Sequence, residues 1–347
     1  MCAAQQPVTN LPFLAPGQYP LFLAPMEDVT DVSFRRLCKE FGADVVCTEF
    51  VNSDALARGV PASLAKLRVL EEERPVGIQI YGQHLESMVA AAKLADAAAP
   101  NYIDLNFGCP VKKIAGRGAG AGMLRNVPLM LQMVRAVVAE VSRPVTVKTR
   151  LGWDANSIII EELAGQLQDA GIAALTIHGR TRAQLYTGQA DWGPIARVRA
   201  NPRMRIPIIG NGDIRSPEDA HRAFHVHRVD GVMIGRASYG MPWIFRDIKH
   251  FLLTGEQPTP LPIEERVAVA HEHLELSVAA KGELRGIFEI RRHLACYFKG
   301  LPHFKELRLQ LLTEREPARL HQLLDTVLQR YRGWQPDAGA PYTPWDS

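Results

Sequence analysis

Eight short aliphatic or β-branched runs recur between Pro20 and Arg236, each followed by a polar or glycine-rich loop and then an alanine- and leucine-rich stretch. They are Leu21–Ala24, Val45–Thr48, Gly77–Ile80, Ile103–Leu105, Val145–Lys148, Leu175–Ile177, Ile208–Gly210 and Gly231–Ile234. Strands that are apolar on both faces and alternate with helical stretches pair in parallel beneath covering helices. Eight in succession predict an α/β fold of the (β/α)8 TIM-barrel type rather than an open sheet. A doubly wound sheet would carry Gly-x-Gly-x-x-Gly after its first strand; Pro25-Met26-Glu27-Asp28 stands there instead.

The pattern stops at Pro242, and Pro258, Pro260 and Pro262 punctuate a linker in which helix and strand are both disfavoured. Ile263 to Arg332 reads as helices only, predicting a small C-terminal all-helical domain. The expected division is a catalytic barrel over 1–255 and a helical domain over 256–347, its tail from Gly333 to Ser347 extended. The formal charge of +3 decides little, but its distribution is uneven. Between Arg285 and Arg332 ten Lys or Arg stand against five Asp or Glu, a local net of +5. Arg285, Arg292 and Lys299, seven residues apart, would form one basic stripe on a helix, able to follow a phosphate backbone. Phe288, Tyr297 and Phe298 lie nearby.

No apolar run approaches the roughly 20 residues a membrane span needs, and Met1 to Asn10 has no leader pattern, so a cytoplasmic address without a membrane partner is expected. Five scattered cysteines without a Cys-x-x-Cys pair predict reduced thiols and no metal cage. A monomer is expected.

In a barrel, reactive groups gather at the C-terminal ends of the strands. Those ends carry Pro25, Met26 and Glu27; Glu49; Gln79; Asn106 and Cys109; Lys148; His178; Asn211, Gly212 and Asp213; and Gly235 with Arg236. The last two ends suit a phosphate, since glycine admits backbone amides to an anion and Arg236 adds charge. Lys148 sits on a buried strand and needs a polar or anionic partner. It fits a cation beside a reduced flavin ring, a structural ion pair or a Schiff-base lysine equally. His178 is ambiguous in the same way. Cys109, with an unperturbed pKa of about 8.5, would stay a thiol at neutral pH and serve as a proton donor. The glycine-rich segment Gly116–Gly122 reads as a loop able to close over a substrate.

Taken in order, these motifs resemble the tRNA-dihydrouridine synthase family from Leu23 to about Leu311. The resemblance rests on Leu23-Ala24-Pro25-Met26, Gln79-Ile80-Tyr81-Gly82, Asp104-Leu105-Asn106-Phe107-Gly108-Cys109-Pro110, Val147-Lys148-Thr149-Arg150, His178-Gly179-Arg180-Thr181-Arg182, Gly210-Asn211-Gly212-Asp213 and Gly231-Val232-Met233-Ile234-Gly235-Arg236. Ile290-Arg291-Arg292-His293-Leu294 and Lys299-Gly300-Leu301-Pro302 resemble the family's helical tRNA-binding domain. The resemblance implies FMN held by Pro25, Met26, Glu27, Gln79, Lys148, His178, Asn211, Gly212, Asp213, Gly235 and Arg236. It implies NADPH or NADH as electron donor, Cys109 as the acid that protonates C5 of uracil, and Asn106 as the residue orienting the base or flavin edge. Arg180, Arg182, Arg285, Arg292 and Lys299 would contact tRNA. Glu27-Asp28 departs from the small residues many relatives carry there; the Glu27 carboxylate would either change the polarity beside the flavin or point away and leave only its backbone near the ring.

The rival reading is an FMN-dependent reductase of a free pyrimidine or other metabolite, like dihydroorotate dehydrogenase, which would leave the basic helical region unexplained. A tRNA-binding chaperone without catalysis would have no need of Lys148, Asn106 and Cys109 together.

Overall fold

The computed structural model describes Leu11, Leu14 and residues 18–335; the expected extended tail therefore lies almost wholly outside the described residues. The strands are β1 (Leu21–Leu23), β2 (Val46–Cys47), β3 (Val51–Asn52), β4 (Val76–Tyr81), β5 (Tyr102–Phe107), β6 (Val145–Arg150), β7 (Ala174–His178), β8 (Ile208–Asn211) and β9 (Gly231–Ile234). All pair in parallel in the order β1-β9-β8-β7-β6-β5-β4-β2, with β3 a short extra strand against the end of β4. The ring closes where Leu23 N donates to Val45 O at 2.9 Å and Phe22 bridges Val45. The predicted (β/α)8 barrel is what forms, built from β1, β2 and β4–β9. Several strands run longer than the sequence suggests, so Asn106, His178 and Asn211 lie within strands rather than beyond them.

Strand alternation sorts the side chains. Ile103, Leu105 and Phe107 join the layer packed beneath the covering helices, against Ala91, Ala92 and Ala95 of helix Leu85–Ala97 and Met130, Met133 and Val134 of helix Val127–Glu140. Each such large side chain contributes about 1.5–3 kcal/mol on burial. The alternate positions Tyr102, Asp104 and Asn106 turn into the barrel. Its floor is the small cluster of Phe22, Cys47, Tyr102, Ile209 and Met233. Gly77 is needed beside this floor, since a Cβ there would meet the Tyr102 ring at 2.2 Å.

Helices Ile263–Lys281, Glu283–Tyr297, Lys305–Thr313 and Pro317–Tyr331 form a second core around Leu274, Ile287, Leu294, Leu311 and Leu324. That core also takes in Leu37 and Trp243 from barrel helices and loops. Polar contacts fasten the two parts together. Lys281 pairs with Asp31 and Glu289. His293 Nε2 donates to Val29 O at 3.1 Å while its Nδ1 accepts from Gly240 N at 3.2 Å, which fixes a neutral tautomer. Among the described residues no helix is long and apolar enough to cross a membrane.

Candidate active site at the barrel mouth

One cavity of about 850 Å³ opens at the C-terminal ends of the strands. Pro25, Met26, Glu27, Gln79, Asn106, Cys109, Lys148, His178, Asn211, Gly212, Asp213, Gly235 and Arg236 all line it. Convergence from seven strand ends and the loops that follow them comes from the barrel, whose strand ends face one opening.

On one wall Lys148 Nζ donates to Asn211 Oδ1 at 3.2 Å, and Asn211 Nδ2 is held by Met233 O at 2.8 Å. Burial, helped by Arg150, pulls the lysine pKa down to about 8, while Asp104 below pushes the other way. His178 is buried among Arg150, Lys148, Arg180 and Arg236, and burial with these cations holds its pKa well below the usual imidazole value. Its Nε2 faces Arg180 Nη1 at 3.4 Å. Because arginine only donates, Nε2 is the unprotonated nitrogen of a neutral ring.

On the neighbouring strand β5, in register with Lys148, Asn106 Oδ1 accepts from the amides of Gly108 (3.0 Å) and Cys109 (2.9 Å). Burial pushes the Cys109 thiol pKa up, against smaller opposing effects of the Val111 amide, Arg150 and Lys148. The thiol therefore stays protonated at neutral pH. Arg150 braces this loop, donating to Gly108 O at 2.8 Å and, in the loop after the neighbouring β7, to Thr181 O and Leu185 O at 2.9 and 2.7 Å.

The far end is cationic. Asp213 Oδ2 accepts from Arg180 and from Ala190 N, both at 2.7 Å, and its Oδ1 lies 3.4 Å from Arg236 and 3.5 Å from Arg215. The carboxylate thus gathers three guanidinium groups. Gly212 has φ +126°, and a Cβ there would stand 2.7 Å from Ala190 Cβ, so the turn admits only glycine. The Glu27 side chain turns to Lys66 at 2.6 Å. With Asp28 and Glu49 it forms the group of acids close enough to share a cation among the described residues, and Lys66 already stands between Glu27 and Glu49.

Several expectations need correction. Arg180 is 1% exposed and its guanidinium is taken up by Thr187 O, Gly188 O and Asp213, so it braces the cationic end instead of facing RNA. Lys299 does not continue the basic stripe, because the helix ends at Tyr297 and Lys299 lies in the following turn, where Gly300 has φ +92°. Tyr297 and Phe298 are buried in the second core, leaving Phe288 the exposed ring of the three. The segment Gly116–Gly122 is no free loop: Gly120 to Leu124 is buried in a short 3-10 helix, and Ala121 N donates to Cys109 O at 3.0 Å. Arg292 and Arg285 are exposed, Arg292 at the cavity rim, 3.1 Å from Asp28, and Arg285 paired with Glu289 at 2.6 Å. Arg182 lies over the Trp153 ring, as Arg125 does.

Sequence reading singled out neither Arg150 nor Tyr186 as a site residue, though both line the cavity, with Arg150 and Arg236 each stacked against the Tyr186 ring. Arg150 was legible, since it is two residues past Lys148 on one strand and so shares its face; no pattern marks Tyr186.

Residues 22–331 match the family described as "Dihydrouridine synthase (Dus)". The chain is 40% identical to a tRNA-dihydrouridine synthase B of Pseudomonas putida over 90% of its length and 91% of the relative. It is 38% identical to a probable tRNA-dihydrouridine synthase of Rickettsia conorii, covering 83% and 87% of the two chains. Among solved structures it resembles histamine dehydrogenase from Rhizobium sp. 4-9 (TM-score 0.52, 12% identity, 74% of this chain, 48% of that one). It also resembles a morphinone reductase mutant in complex with tetrahydroNAD (TM-score 0.51, 13% identity, 70% and 88%). These two likenesses are of fold.

Proposed function

The chain belongs to the dihydrouridine synthase family, and we propose that it reduces the C5–C6 double bond of a uridine in the tRNA D-loop to 5,6-dihydrouridine, using FMN and NADPH or NADH. The observation that carries the reading is a buried cation, Lys148, standing in register with Asn106, whose side chain holds the loop that bears the Cys109 thiol, so that cation and thiol meet at the ends of two neighbouring strands.

The residues present fit FMN. Lys148 is a buried ammonium whose hydrogen-bond partner is a neutral amide, a place suited to the electron-rich edge of a flavin ring. Gln79, His178 and Asn211 offer polar contacts to the same ring, with Pro25, Met26 and Glu27 at its border. Gly212, Gly235 and Arg236, backed by Asp213, offer backbone and guanidinium donors to a phosphate. When bound, FMN supplies the hydride chemistry between nicotinamide and uracil.

The chain's own residues do the rest. Cys109 holds its proton and delivers it to C5. Asn106 fixes the backbone of the thiol's loop with its oxygen, and so sets where the proton stands. A stacked uracil is beyond reach of such a pocket until the nucleotide is flipped out, which requires a grip on RNA. Arg292 at the rim, with Arg285, Arg182 and Lys299 around the opening and on the helical part, supplies that grip. Residues 1–255 would then be the catalytic domain and 256–347 the RNA-holding one, working as a cytoplasmic monomer without a metal.

The test is selectivity: unmodified tRNA against free uridine and orotate at equal concentration, with NADPH. Turnover of tRNA alone supports the reading; turnover of the free pyrimidines as fast as tRNA replaces it with a metabolite reductase.

A further inference from the structure

Below the cavity, a chain of amides runs from the Cys109 loop to a carboxylate inside the barrel. Asp104, Asn106 and Gln79 are buried, and Gln79 pairs with Asp104 in register across β4 and β5 as Thr146 does across β5 and β6. Thr146 Oγ1 donates to Asp104 Oδ1 and Gln79 Nε2 to Asp104 Oδ2, both at 2.5 Å. Asn106 Nδ2 donates to Gln79 Oε1 at 2.8 Å, and Asn106 Oδ1 receives the Gly108 and Cys109 amides.

The polarity of this chain has one solution. Backbone amides only donate, so Asn106 must present oxygen upward and nitrogen to Gln79; Gln79 must then present nitrogen downward, and only an acceptor can meet it. Turning Gln79 over would set oxygen against the carboxylate and nitrogen against nitrogen, two unmet buried contacts. We propose that Asp104 is a positioning residue, which fixes the amide orientation of Gln79 and through it Asn106, and so sets the stance of the Cys109 thiol 5 residues along the same strand and loop. The proposal rests on the reading above for its bearing on uridine reduction, but the stance of the thiol can be measured without it.

Asp104→Asn keeps an oxygen for Gln79, with its new amide donating to Thr146, while removing the charge; Asp104→Leu removes the acceptor. The full-length proteins are alkylated with iodoacetamide without RNA or nicotinamide, and each cysteine is followed by peptide mass spectrometry, with bound flavin measured by fluorescence. The expected result is a change of at least about fivefold in the Cys109 rate for D104L, the size of one lost buried hydrogen bond. D104N should stay near the parent rate, and Cys38 and Cys47 should stay protected in both. Parent-like reactivity in D104L, or equal change in D104N and D104L, overturns the relay, the second outcome pointing to the charge beneath Lys148. Should D104L fail to fold, exposing every cysteine, Gln79→Leu cuts the same chain one link higher; a parent rate at Cys109 there overturns the proposal. A chain that never modifies tRNA leaves these outcomes readable, so the two claims fail separately.

Discussion

Lys148 on β6 reaches past β7 to Asn211 on β8, its Nζ 3.2 Å from the amide oxygen. The contact holds an ammonium inside the barrel, where burial has already brought its pKa down to about 8. Replacing it by methionine keeps the volume and removes the charge. Lys148→Met should weaken flavin binding by at least about tenfold, the worth of one charge-assisted hydrogen bond, or lower the flavin reduction potential. Fluorescence titration and a dye-equilibrium potential measure both; parent values in both would return Lys148 to a structural role.

Cys109→Ala should leave flavin content and its reduction by NADPH as in the parent, and slow base reduction by roughly 10²- to 10⁴-fold, the usual worth of a positioned general acid. Stopped-flow absorbance follows the first half-reaction and single-turnover analysis of tRNA the second. Unchanged tRNA turnover removes the thiol from the chemistry.

Arg292 and Asp28 pair at the rim with both side chains more than half exposed, so the pair itself contributes little to stability. Arg292→Ala should leave the melting temperature nearly unchanged, weaken tRNA binding, and reduce the slope of log Kd against log salt by about one. An unaltered slope would place the RNA elsewhere.

The joint between barrel and helices should be acid-sensitive. Burial pulls the His293 pKa down to about 4, only partly opposed by Asp31 and the Val29 carbonyl, with Lys281 and Arg292 adding to the depression. His273 beside it is depressed as well, by burial and by His293. The unfolded chain takes up these protons first as pH falls below about 6.5. Stability is thus highest above that pH and declines between about 6.5 and 4, by roughly 3 kcal/mol for His293 alone. Asp31 acts lower. Burial would raise its pKa, but Lys281, His273 and the Phe34 amide hold it at about 2, so its contribution is lost as pH falls from about 4 to 2. Urea unfolding across this range, with His293→Gln flattening the upper part, checks the assignment; a curve level from pH 7 to 4 contradicts it.

The barrel was legible because eight apolar runs at this spacing admit few folds, and once it is granted, alternation places Lys148, Asn106 and His178 inside it. What the sequence could not show depended on loops and on the second core. Arg180 looks like an RNA contact until the chain from Thr181 to Gly188 folds back and supplies its carbonyl partners. Tyr297 and Phe298 look like stacking platforms until the helices close over them. Glu27 found its partner in Lys66, 39 residues away, which no local pattern announces.

The most direct test joins two readings on one sample: the absorption spectrum of the purified protein, and mass spectrometry of nucleosides from unmodified tRNA after incubation with NADPH. A flavin spectrum with new dihydrouridine is the predicted result. A flavin-bearing protein that leaves tRNA unchanged, or a colourless one that takes up no FMN, would contradict it.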